Sequence, residues 1–413
     1  MESKGALSDI KPLTIFYHGG CADGFVSATM LYLHEFSSHQ TSPETPTLDV
    51  YLNLLQKTFT ETKGPGQIRR IIKDEDIASL PVPEFSGSVS YPKFEDFESQ
   101  ARFIPFYHQR PEEKLDFVSS LPQQERRLCI MADLCNFEVA IKLCEIYEEV
   151  YIVDHHRTVS KFFEQENPEE GLPANLRIIF NKKFSGSQML FYMTTRFSDC
   201  LCRCLEPEFG KNLATTVKLI NENDTLPRDE LSQDAREYVC ALYDIGYVWA
   251  FCRSSDPKKP ISDFLKFDPD IYIQIGRPKL AARVAAVEKR SKKAKEVSFQ
   301  YKKRNCGEPV TVRCLFCQAE SKYASDLGNT LAKLSLRRGM NPIGVVATKY
   351  SFGGDKGMKL AFRAVKIEGD ELDGENVVEM DCEEVAHFFG GGGHKLAAGA
   401  KVKNLGFLKV LAN

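Results

Sequence analysis

Three short apolar runs, each followed by residues that can bind a metal, constrain the fold of this chain more than any other feature. The runs are "LTIFYH" (Leu13 to His18), "LCIMA" before Asp133 and "YIV" before Asp154. They are apolar throughout instead of alternating, which is typical of strands in a parallel sheet that is covered on both faces. Helical segments such as "FEVAIKLCEIYEE" come between them. The sequence therefore predicts an α/β fold, with helices on both faces of a mostly parallel sheet.

The carboxylates and imidazoles that follow these runs are the candidate functional residues. Loops at the carboxyl ends of parallel strands converge where the strand order switches, so ligand groups placed there come together. One such acid is most often a helix cap, but several acids with imidazoles in equivalent positions favour a site for Mn²⁺, Fe²⁺ or Zn²⁺. The candidates in chain order are His18, Asp23, Asp133, Asp154, His155, His156 and Asp224. A pair of such ions can activate a water and bind phosphate oxygens, so the pattern predicts phosphoryl transfer.

The overall charge gives no argument for wholesale binding of nucleic acid. The 413 residues include 54 Lys and Arg against 57 Asp and Glu, a formal net charge of −3, so any basic site must be local. The pronounced basic run holds Lys289, Arg290, Lys292, Lys293, Lys295, Lys302, Lys303 and Arg304. Such a run could track a phosphate backbone or could be the solvated face of a helix, and the sequence leaves both interpretations open.

Thirteen cysteines, an odd number spread along the chain, predict reduced thiols instead of a disulfide framework. Two clusters, "CLCRC" (Cys200 to Cys204) and "CLFC" (Cys314 to Cys317), each resemble half of a zinc site, but neither has a second half at suitable spacing. No uncharged apolar stretch approaches ~18 residues, and the N-terminus lacks the pattern of a secretory signal. We therefore expect a cytoplasmic protein with no membrane partner, and "KRSKKAK" leaves nuclear entry open.

Pattern changes along the chain predict two domains and a connection. Residues 1–275 form the predicted catalytic domain, which is interrupted at about 37–100 by a stretch rich in Pro, Gly and Ser that we expect to be a peripheral insertion. Residues 276–304 are predicted to be a basic linker helix, with a helical pattern that runs to Arg304. Residues 305–413 contain the β-rich runs "VTVRCLFC", "PIGVVATKY" and "KLAFRAVKI", and predict a smaller α/β domain.

Four motifs together resemble those of the DHH phosphoesterase superfamily with its DHH-associated C-terminal domain. They are "HGGCADG" after the first strand, "AD" after the second, "VDHH" after the third, and "FFGGGGHKLAAGA" near the C-terminus. "DHH" alone is a weak signal, but its position one strand after a strand-terminal Asp, with the glycine-rich motif far downstream, makes the combination specific. The resemblance covers the chain except for residues 37–100.

The resemblance implies a catalytic set of Asp133, His155 and His156. Asp133 would be the carboxylate that bridges two metal ions, His155 would be a direct metal ligand, and His156 would face the substrate phosphate. Asp154 would orient a histidine from behind without binding the metal itself. The loop "FSGSQ" (Phe184 to Gln188) resembles the small-residue loop of the family, where backbone N–H groups can meet an anion, although it could equally be an ordinary helix start.

The resemblance also implies that His18, Asp23 and Asp224 are metal ligands, and here the first motif departs from the family pattern. Family members commonly show a His followed by two acids, whereas "HGGCADG" supplies His18, Cys21 and the single acid Asp23. Cys21 could fill the missing place as a thiolate, which would favour zinc or iron over manganese. Alternatively the metal keeps an extra water, or Cys21 only packs beside the loop.

The glycine-rich motif predicts a substrate-binding element in the C-terminal domain. Glycines let backbone amides approach a ligand because no Cβ stands in the way. The segment "CEEVAHF" before the motif is predicted to be a helix, and "KLAAGA" after it a packed helix and turn. By resemblance, the nucleotide end of the substrate would be held by Arg363 on the upstream strand and by Gly391, Gly392, Gly393 and His394.

These expectations combine into a metal-dependent phosphodiesterase or exonuclease that hydrolyses short single-stranded oligonucleotides to mononucleotides through a metal-activated water. The resemblance implies two divalent ions, Mn²⁺ first, with Zn²⁺ or Fe²⁺ as alternatives. One alternative is a hydrolase of a small nucleotide, such as 3′-phosphoadenosine 5′-phosphate or a cyclic or linear dinucleotide. Another is a regulatory protein that binds nucleotides and in which the altered first motif has weakened catalysis. The sequence leaves a homodimer open.

Overall fold

The computed structural model of the chain describes most of the sequence and divides it into two compact units. The described residues are 13–41, 47–60, 69–71, 83–87, 97–106, 116, 118, 127–156, 159, 172–197, 200–226, 230–254, 256, 258–266, 268–303, 309–352, 355–365 and 380–411. The first unit is Met1–Lys279 and the second is Leu280–Asn413.

The first unit is an α/β domain. Its strands are β1 (Leu13–His18), β2 (Arg69–Ile71), β3 (Arg102–Phe106), β4 (Leu128–Ala132), β5 (Glu149–Asp154) and β6 (Leu176–Phe180). Its helices are α1 (Ala22–Thr41), α2 (Thr47–Thr60), α3 (Phe137–Cys144), α4 (Gly186–Tyr192) with a π-helical turn (Met193–Phe197), α5 (Cys200–Cys204), α6 (Pro207–Thr225), α7 (Gln233–Ile245), α8 (Tyr247–Arg253) and α9 (Lys258–Leu265). Helix α10 (Pro269–Ser291) begins in this unit and ends in the second.

The sheet of the first unit is parallel throughout, as the apolar runs predicted. Its strand order is β2-β6-β5-β4-β1-β3. Ile15 of β1 pairs with Phe103 of β3 on one side and with Ile130 of β4 on the other. The chain adds β3 on one side of β1 and then continues with β4, β5 and β6 on the other side. The strand order therefore switches between β1 and β4, and their carboxyl ends lie next to each other.

Helices cover both faces of this sheet, which confirms the predicted arrangement. Successive side chains of a strand point to opposite faces, and in β1 the buried Ile15 and Tyr17 join one core with helix α1, whereas Phe16 joins a second core. Met131 of β4 and Val139 of α3 lie in that second core. The central strands are apolar at every position because each face packs against its own layer of helices.

The expectation that residues 37–100 form a peripheral insertion is wrong for the parts that the structure describes. Helix α2 places Tyr51, Leu54 and Leu55 in the core that contains α1, with at most 2% of each side chain exposed. Burying a side chain of this size contributes about 1.5–3 kcal/mol. The backbone N–H of Ser86 donates to Cys202 O at 3.0 Å. Most of the Pro and Gly residues that predicted an excursion fall outside the described residues.

A buried carboxylate joins the end of this stretch to helix α1. Glu35 is fully buried and accepts hydrogen bonds from Ser99 Oγ at 2.6 Å and from the backbone N–H of Gln100 at 2.7 Å. The hydroxyl of Tyr51 in α2 lies 3.4 Å from the same carboxylate. A buried charge is tolerated only when such donors surround it, so these contacts fix α1, α2 and the segment before β3 as one structure.

The second unit contains a seven-stranded mixed sheet. Its strands are β7 (Lys295–Lys302), β8 (Pro309–Gln318), β9 (Ile343–Phe352), β10 (Asp355–Ala364), β11 (Gly392–His394), β12 (Ala397–Val402) and β13 (Lys409–Val410). Its helices are α11 (Ala324–Arg337), which follows a 3₁₀ turn (Ser321–Tyr323), and α12 (Cys382–Phe388). The order is β11-β12-β10-β9-β8-β7-β13; the β8–β9 pair is parallel and the other pairs are antiparallel. Helices α11 and α12 pack on separate cores.

Two predictions for this region are wrong. The helix predicted to reach Arg304 ends at Ser291, and Lys295–Lys302 form strand β7, because Val297, Phe299 and Tyr301 alternate into the core. The segment "KLAAGA" is not a helix but leads into β12, which pairs with β10. Arg304 itself lies outside the described residues. Among the described helices, none has the length and the apolar composition needed to cross a bilayer.

Candidate metal centre

The carboxyl ends of β1, β4 and β5 bring the predicted ligands of the first unit together. Asp133 follows β4, and its carboxylate lies 3.5 Å from His18 Nδ1 at the end of β1 and 3.3 Å from His155 Nε2 just after β5. Asp224, in the last turn of α6, approaches from the side, with Oδ2 2.9 Å from His155 Nε2. The Asp224 side chain is 34% exposed whereas that of Asp133 is 1% exposed, so Asp224 lies at the solvent-exposed edge of the cluster.

The backbone around Asp133 fixes its carboxylate. Its φ is +54°, and it is the one non-glycine residue with a positive φ among those described. Asp tolerates this left-handed conformation better than most residues. Its N–H donates to Val153 O at 2.8 Å, which continues the pairing of β4 with β5. The chain therefore turns sharply at Asp133 while its backbone stays anchored to the sheet.

The two histidines of the "DHH" segment contact different acids. Asp154 is fully buried at the end of β5, and its Oδ1 lies 2.5 Å from His156 Nδ1. An acid in this position can fix the orientation of the histidine ring. His155 turns to Asp133 and Asp224 instead. The two rings are close, with centroids 4.5 Å apart.

Cys21 is both a helix cap and a neighbour of the cluster. The backbone N–H of Gly24 donates to its Sγ at 3.1 Å, as expected for a capping residue before α1. The same Sγ lies 3.2 Å from Oδ2 of Asp133, to which the thiol donates. Both interpretations of Cys21, a packed cap or a metal ligand, are therefore compatible with its position.

The backbone amides of the "FSGSQ" loop donate hydrogen bonds to the side chain of Asp23. The N–H groups of Gly186 and Ser187 donate to the Asp23 carboxylate at 2.7 and 3.0 Å, and the Ser187 hydroxyl donates to it as well. Ser185 caps α4 by accepting from Gln188 N–H. The carboxylate thus takes the place at the helix N-terminus where an anion is stabilised. These amides are consequently engaged inside the protein.

Glycine is required at position 186 by its distance to Asp133. A Cβ built on Gly186 would lie 2.7 Å from Asp133 Cβ and 3.0 Å from Asp133 Cα. Carbon atoms that are not bonded to each other pack at about 3.5–4 Å, so any side chain here would push Asp133 away from the cluster. The glycine of "SGS" therefore allows Asp133 to take its position in the cluster.

The charges of the cluster perturb one another. Burial raises the pKa of Asp133, but contacts with His155 and His18 outweigh burial and hold the pKa well below its usual value. Burial together with the charges of Asp133 and Asp224 raises the pKa of Asp23 well above its usual value. Burial lowers the pKa of His156, but Asp154 outweighs it and raises that pKa to about 9. Acids packed this closely need protons or cations between them.

The donor set fits divalent cations. Among the described residues there are three sets of potential ligands, and within each set the ligand atoms lie within 4.8 Å of one another; all three sets include Asp133. The sets are Asp133, Asp154, His155 and His156; His18, Cys21 and Asp133; and Asp23, Asp133, His155 and Asp224. Asp133 Oδ1 and His155 Nε2 are buried, yet neither has a well-directed hydrogen bond to a described residue. Buried polar atoms of this kind are normally satisfied, and a cation between them would satisfy both.

Two aromatic residues near the cluster were missed by the sequence analysis. The hydroxyl of Tyr243 in α7 accepts from Ala22 N–H at 3.2 Å, and burial together with the charges of Cys21, Asp224 and Asp133 raises its pKa. The indole of Trp249, 42% exposed, lies over Gly20 in the β1–α1 loop. No local sequence signal marks either residue, because both contacts depend on how the later helices pack against the loop.

Arg363 and the glycine-rich motif lie together in the second unit. Arg363 and His394 pair with the same residue, Ala397, from opposite sides, so they occupy one row of the sheet. The Arg363 guanidinium donates to Ser325 Oγ at 3.2 Å and to Phe362 O at 2.8 Å. The structure describes the backbone of His394 but not its side chain.

The amides of the glycine run are used unequally. Gly391 N–H donates to Ala386 O at 2.8 Å at the end of α12, and the predicted helix before the motif is confirmed. Gly392 and Gly393 are exposed and pair with Gly399 and Ala398 of β12. Strand β11 is at the edge of the sheet, so the backbone groups left for a ligand are those that point away from β12.

Comparisons with known proteins give little similarity. A scan against protein-family models found no match, and a search of curated proteins found no relative. Among solved structures, the chain is similar to a pGpG-specific phosphodiesterase, PggH, from Vibrio cholerae, with 10% sequence identity and a TM-score of 0.38 over 95% of this chain and 93% of that chain. A similarity this distant carries no argument about chemistry, so function is argued below from the site itself.

Proposed function

We propose that this chain is a metal-dependent phosphodiesterase of the DHH type that hydrolyses short oligonucleotides to mononucleotides. The observation that carries the proposal is the position of Asp133, which belongs to all three sets of potential ligands at the switch point of a parallel sheet. A carboxylate shared in this way suits a bridge between two cations. The four sequence motifs that resemble the superfamily support the same conclusion.

Each residue of the first unit has a proposed role. His18, Asp23, Asp133, His155 and Asp224 would hold two divalent ions, for which Mn²⁺ is the preferred identity. Asp133 would contribute to holding both ions, and His155 would contribute Nε2, the atom that faces both Asp133 and Asp224. When bound, such ions lower the pKa of water and offset the charge that develops on a phosphoryl group. Asp154 holds His156 by its Nδ1 and thereby orients the opposite edge of the ring.

The second unit is proposed to hold the nucleotide end of the substrate. Arg363 and His394 share one row of the sheet, and a guanidinium is suited to phosphate or to stacking on a base. Gly392 leaves space beside its backbone for a ligand, since a Cβ there would meet no atom within 4 Å, whereas Gly393 packs closely against Ala398 of β12. A grip on the terminal nucleotide would favour short substrates over long strands.

A product screen tests this proposal. The whole protein would be incubated with Mn²⁺ and single-stranded RNAs of two to five nucleotides, 3′-phosphoadenosine 5′-phosphate, and linear and cyclic dinucleotides. We expect mononucleotides from the RNAs, and no turnover by an Asp133→Asn variant. Hydrolysis of 3′-phosphoadenosine 5′-phosphate or of dinucleotides alone would replace the oligonucleotide assignment. An absence of hydrolysis with Mn²⁺, Zn²⁺ and Fe²⁺ would leave only a nucleotide-binding protein.

A further inference from the structure

A cavity in the second unit is lined by none of the residues that the proposed function uses. Its volume is about 650 Å³, within the range of roughly 300–1,000 Å³ that small-molecule sites occupy. It is lined by the end of α10, by β7, β8 and by the segment that contains β13. Strands β13 and β11 are at opposite edges of the seven-stranded sheet. Six strand spacings, roughly 25–30 Å, separate the cavity side of this sheet from the glycine-rich motif.

One wall of the cavity is cationic. It is formed by Lys289, Arg290, Lys293 and Lys295. Arg290 is engaged, because it pairs with Glu320 at 2.9 Å and its guanidinium lies 4.1 Å from the centre of the Tyr323 ring. The three lysines form no ion pair with the residues that the structure describes, and Glu296, beside Lys295, pairs with Arg338 instead. Three ammonium groups around one cavity create a potential that attracts a multiply charged anion.

The floor of the cavity is apolar. Val297, Phe316, Leu405, Leu408 and Val410 contribute to it, and Val410 is 62% exposed. A single exposed apolar side chain usually needs no explanation, but one at the mouth of a cavity can form part of the surface that binds a ligand. A simple inorganic anion would leave this surface unused, so the cavity suits a ligand with an anionic part and a flat or apolar part.

A single amide can supply specificity. Gln318 lines the cavity and is exposed, and a primary amide offers two donors and one acceptor, which match the edge of a nucleobase. A fatty acyl chain has no hydrogen-bonding groups that could pair with this amide. The amide and the exposed lysines together narrow the ligand class to one that contains phosphates and a base.

We propose that this cavity is a nucleotide-binding site that is separate from the metal centre, with the phosphates of a nucleoside polyphosphate or of an oligonucleotide on Lys289, Lys293 and Lys295 and the base on the apolar floor beside Gln318. The inference is independent of the proposed function, because it uses none of the residues assigned to hydrolysis. It also gives the basic run of the sequence a role that neither a linker helix nor a solvated face provides.

Calorimetric titration of the whole protein with ADP tests the site. EDTA would be present, so that binding through a metal does not contribute. We expect saturable binding whose affinity falls by about tenfold or more in Lys293→Gln/Lys295→Gln, since two charge-assisted contacts are lost, but not in Arg363→Lys, which weakens only the nucleotide contact proposed for the substrate. Lys302→Gln/Lys356→Gln is the matched control: it removes the same charge from exposed strand positions outside the cavity and should change affinity by less than about twofold.

Two further variants test where ADP binds. Val410→Asp places an acid at the exposed mouth of the cavity without disturbing the core and should weaken ADP binding, whereas Asp133→Asn in the metal centre should leave it unchanged. Circular dichroism would verify that each variant is folded. The proposal is overturned if ADP does not bind, if the cavity and control variants weaken binding equally, or if Asp133→Asn abolishes it.

Comparison of ligands identifies what the site recognises. ADP should bind more tightly than either pyrophosphate or adenosine, because only ADP uses both the lysines and the apolar floor. Pyrophosphate that binds as tightly as ADP would contradict a nucleotide site. A single-stranded pentanucleotide that binds more tightly than ADP would support the proposal with an oligonucleotide as the source of the phosphates, and weaker binding would support it with a free nucleotide as the source.

Discussion

Asp133 is the residue on which the proposed chemistry depends, because it is the member that the three potential ligand sets share. The Asp133→Asn variant keeps the shape of the side chain but removes its charge. We expect its turnover to fall by at least about 100-fold, more than for loss of a residue that only supports a ligand. Mn²⁺ should raise the melting temperature of the original protein but not of the variant, since a ligand stabilises only the state that binds it.

A matched control for Asp133 is Asp270→Asn. Asp270 lies exposed in the first turn of α10, so the same chemical change there should alter neither turnover nor the stabilisation by Mn²⁺. If both variants remained active, Asp133 would not be a ligand and the cluster would be a structural network of acids and imidazoles.

Cys21 is the residue at which the first motif differs from the DHH pattern that the sequence resembles. Cys21→Asp would supply the second acid that the family pattern contains, and Asp can also accept the Gly24 N–H that now caps on sulfur. Because carboxylates suit Mn²⁺ better than thiols do, we expect the Mn²⁺ concentration for half-maximal activity to fall by about tenfold. Cys21→Ser should remain close to the original protein; complete loss of activity in that variant would show that the thiolate is itself a ligand.

Arg363 tests the proposed grip on the nucleotide. Arg363→Lys keeps the charge but loses the planar fork of donors. We expect KM for a trinucleotide to rise by about tenfold while kcat changes little, because the interaction is made in the ground state as well as in the transition state. An equal fall in kcat with unchanged KM, measured by initial rates, would remove Arg363 from substrate binding.

At the scale of elements, the close contact between helices α7 and α10 makes a prediction about stability. A Cβ on Gly276 would lie 1.7 Å from Glu237 O, and Glu237 also pairs with Arg277 at 3.1 Å. Gly276→Ala should therefore lower the free energy of unfolding by about 1–3 kcal/mol as the helices are forced apart. Urea denaturation measures the effect, and the exposed Gln274→Ala in the same helix should change it by less than about 0.5 kcal/mol.

Elements were predictable from the sequence where one pattern dominated. The three central strands were found because they are apolar on both faces, and the acids at their ends followed from strand topology. The strand after α10 was missed, although Val297, Phe299 and Tyr301 alternate, because the surrounding lysines favour helix and hide the period of two. Helix α2 was missed for a similar reason: Tyr51 and Leu54 have helical spacing, but the Pro and Gly residues around them predicted a loop.

Contacts that depend on how the helices and loops pack, unlike those at the ends of neighbouring strands, were not predictable. The Asp23 carboxylate was expected to bind metal, and its hydrogen bonds to Gly186 and Ser187 could be found only in three dimensions. The same is true of Tyr243, whose contact with Ala22 is made across the unit. Such contacts join residues far apart in the chain, and a single sequence contains no pattern that reports them.

At the scale of the whole molecule, the second unit is expected to fold without the first. Residues Leu280–Asn413 have cores on both faces of their own sheet, which is what an independent domain requires. A fragment with these residues should show β-rich circular dichroism and one cooperative thermal transition. A fragment that lacks any transition would mean that the beginning of α10 is needed for its stability.

The buried carboxylate of Glu35 has a practical consequence for anyone who wishes to shorten this protein. In the sequence, residues 37–100 look like a peripheral insertion that could be deleted to shorten the protein. Deletion would remove the Ser99 hydroxyl and the Gln100 amide that solvate Glu35, together with the Tyr51 ring beside it. A buried carboxylate that loses such donors is destabilised by several kcal/mol, a large part of the stability of a typical domain. A shortened variant must either keep 47–60 and 97–100 or replace Glu35 with an apolar residue at the same time.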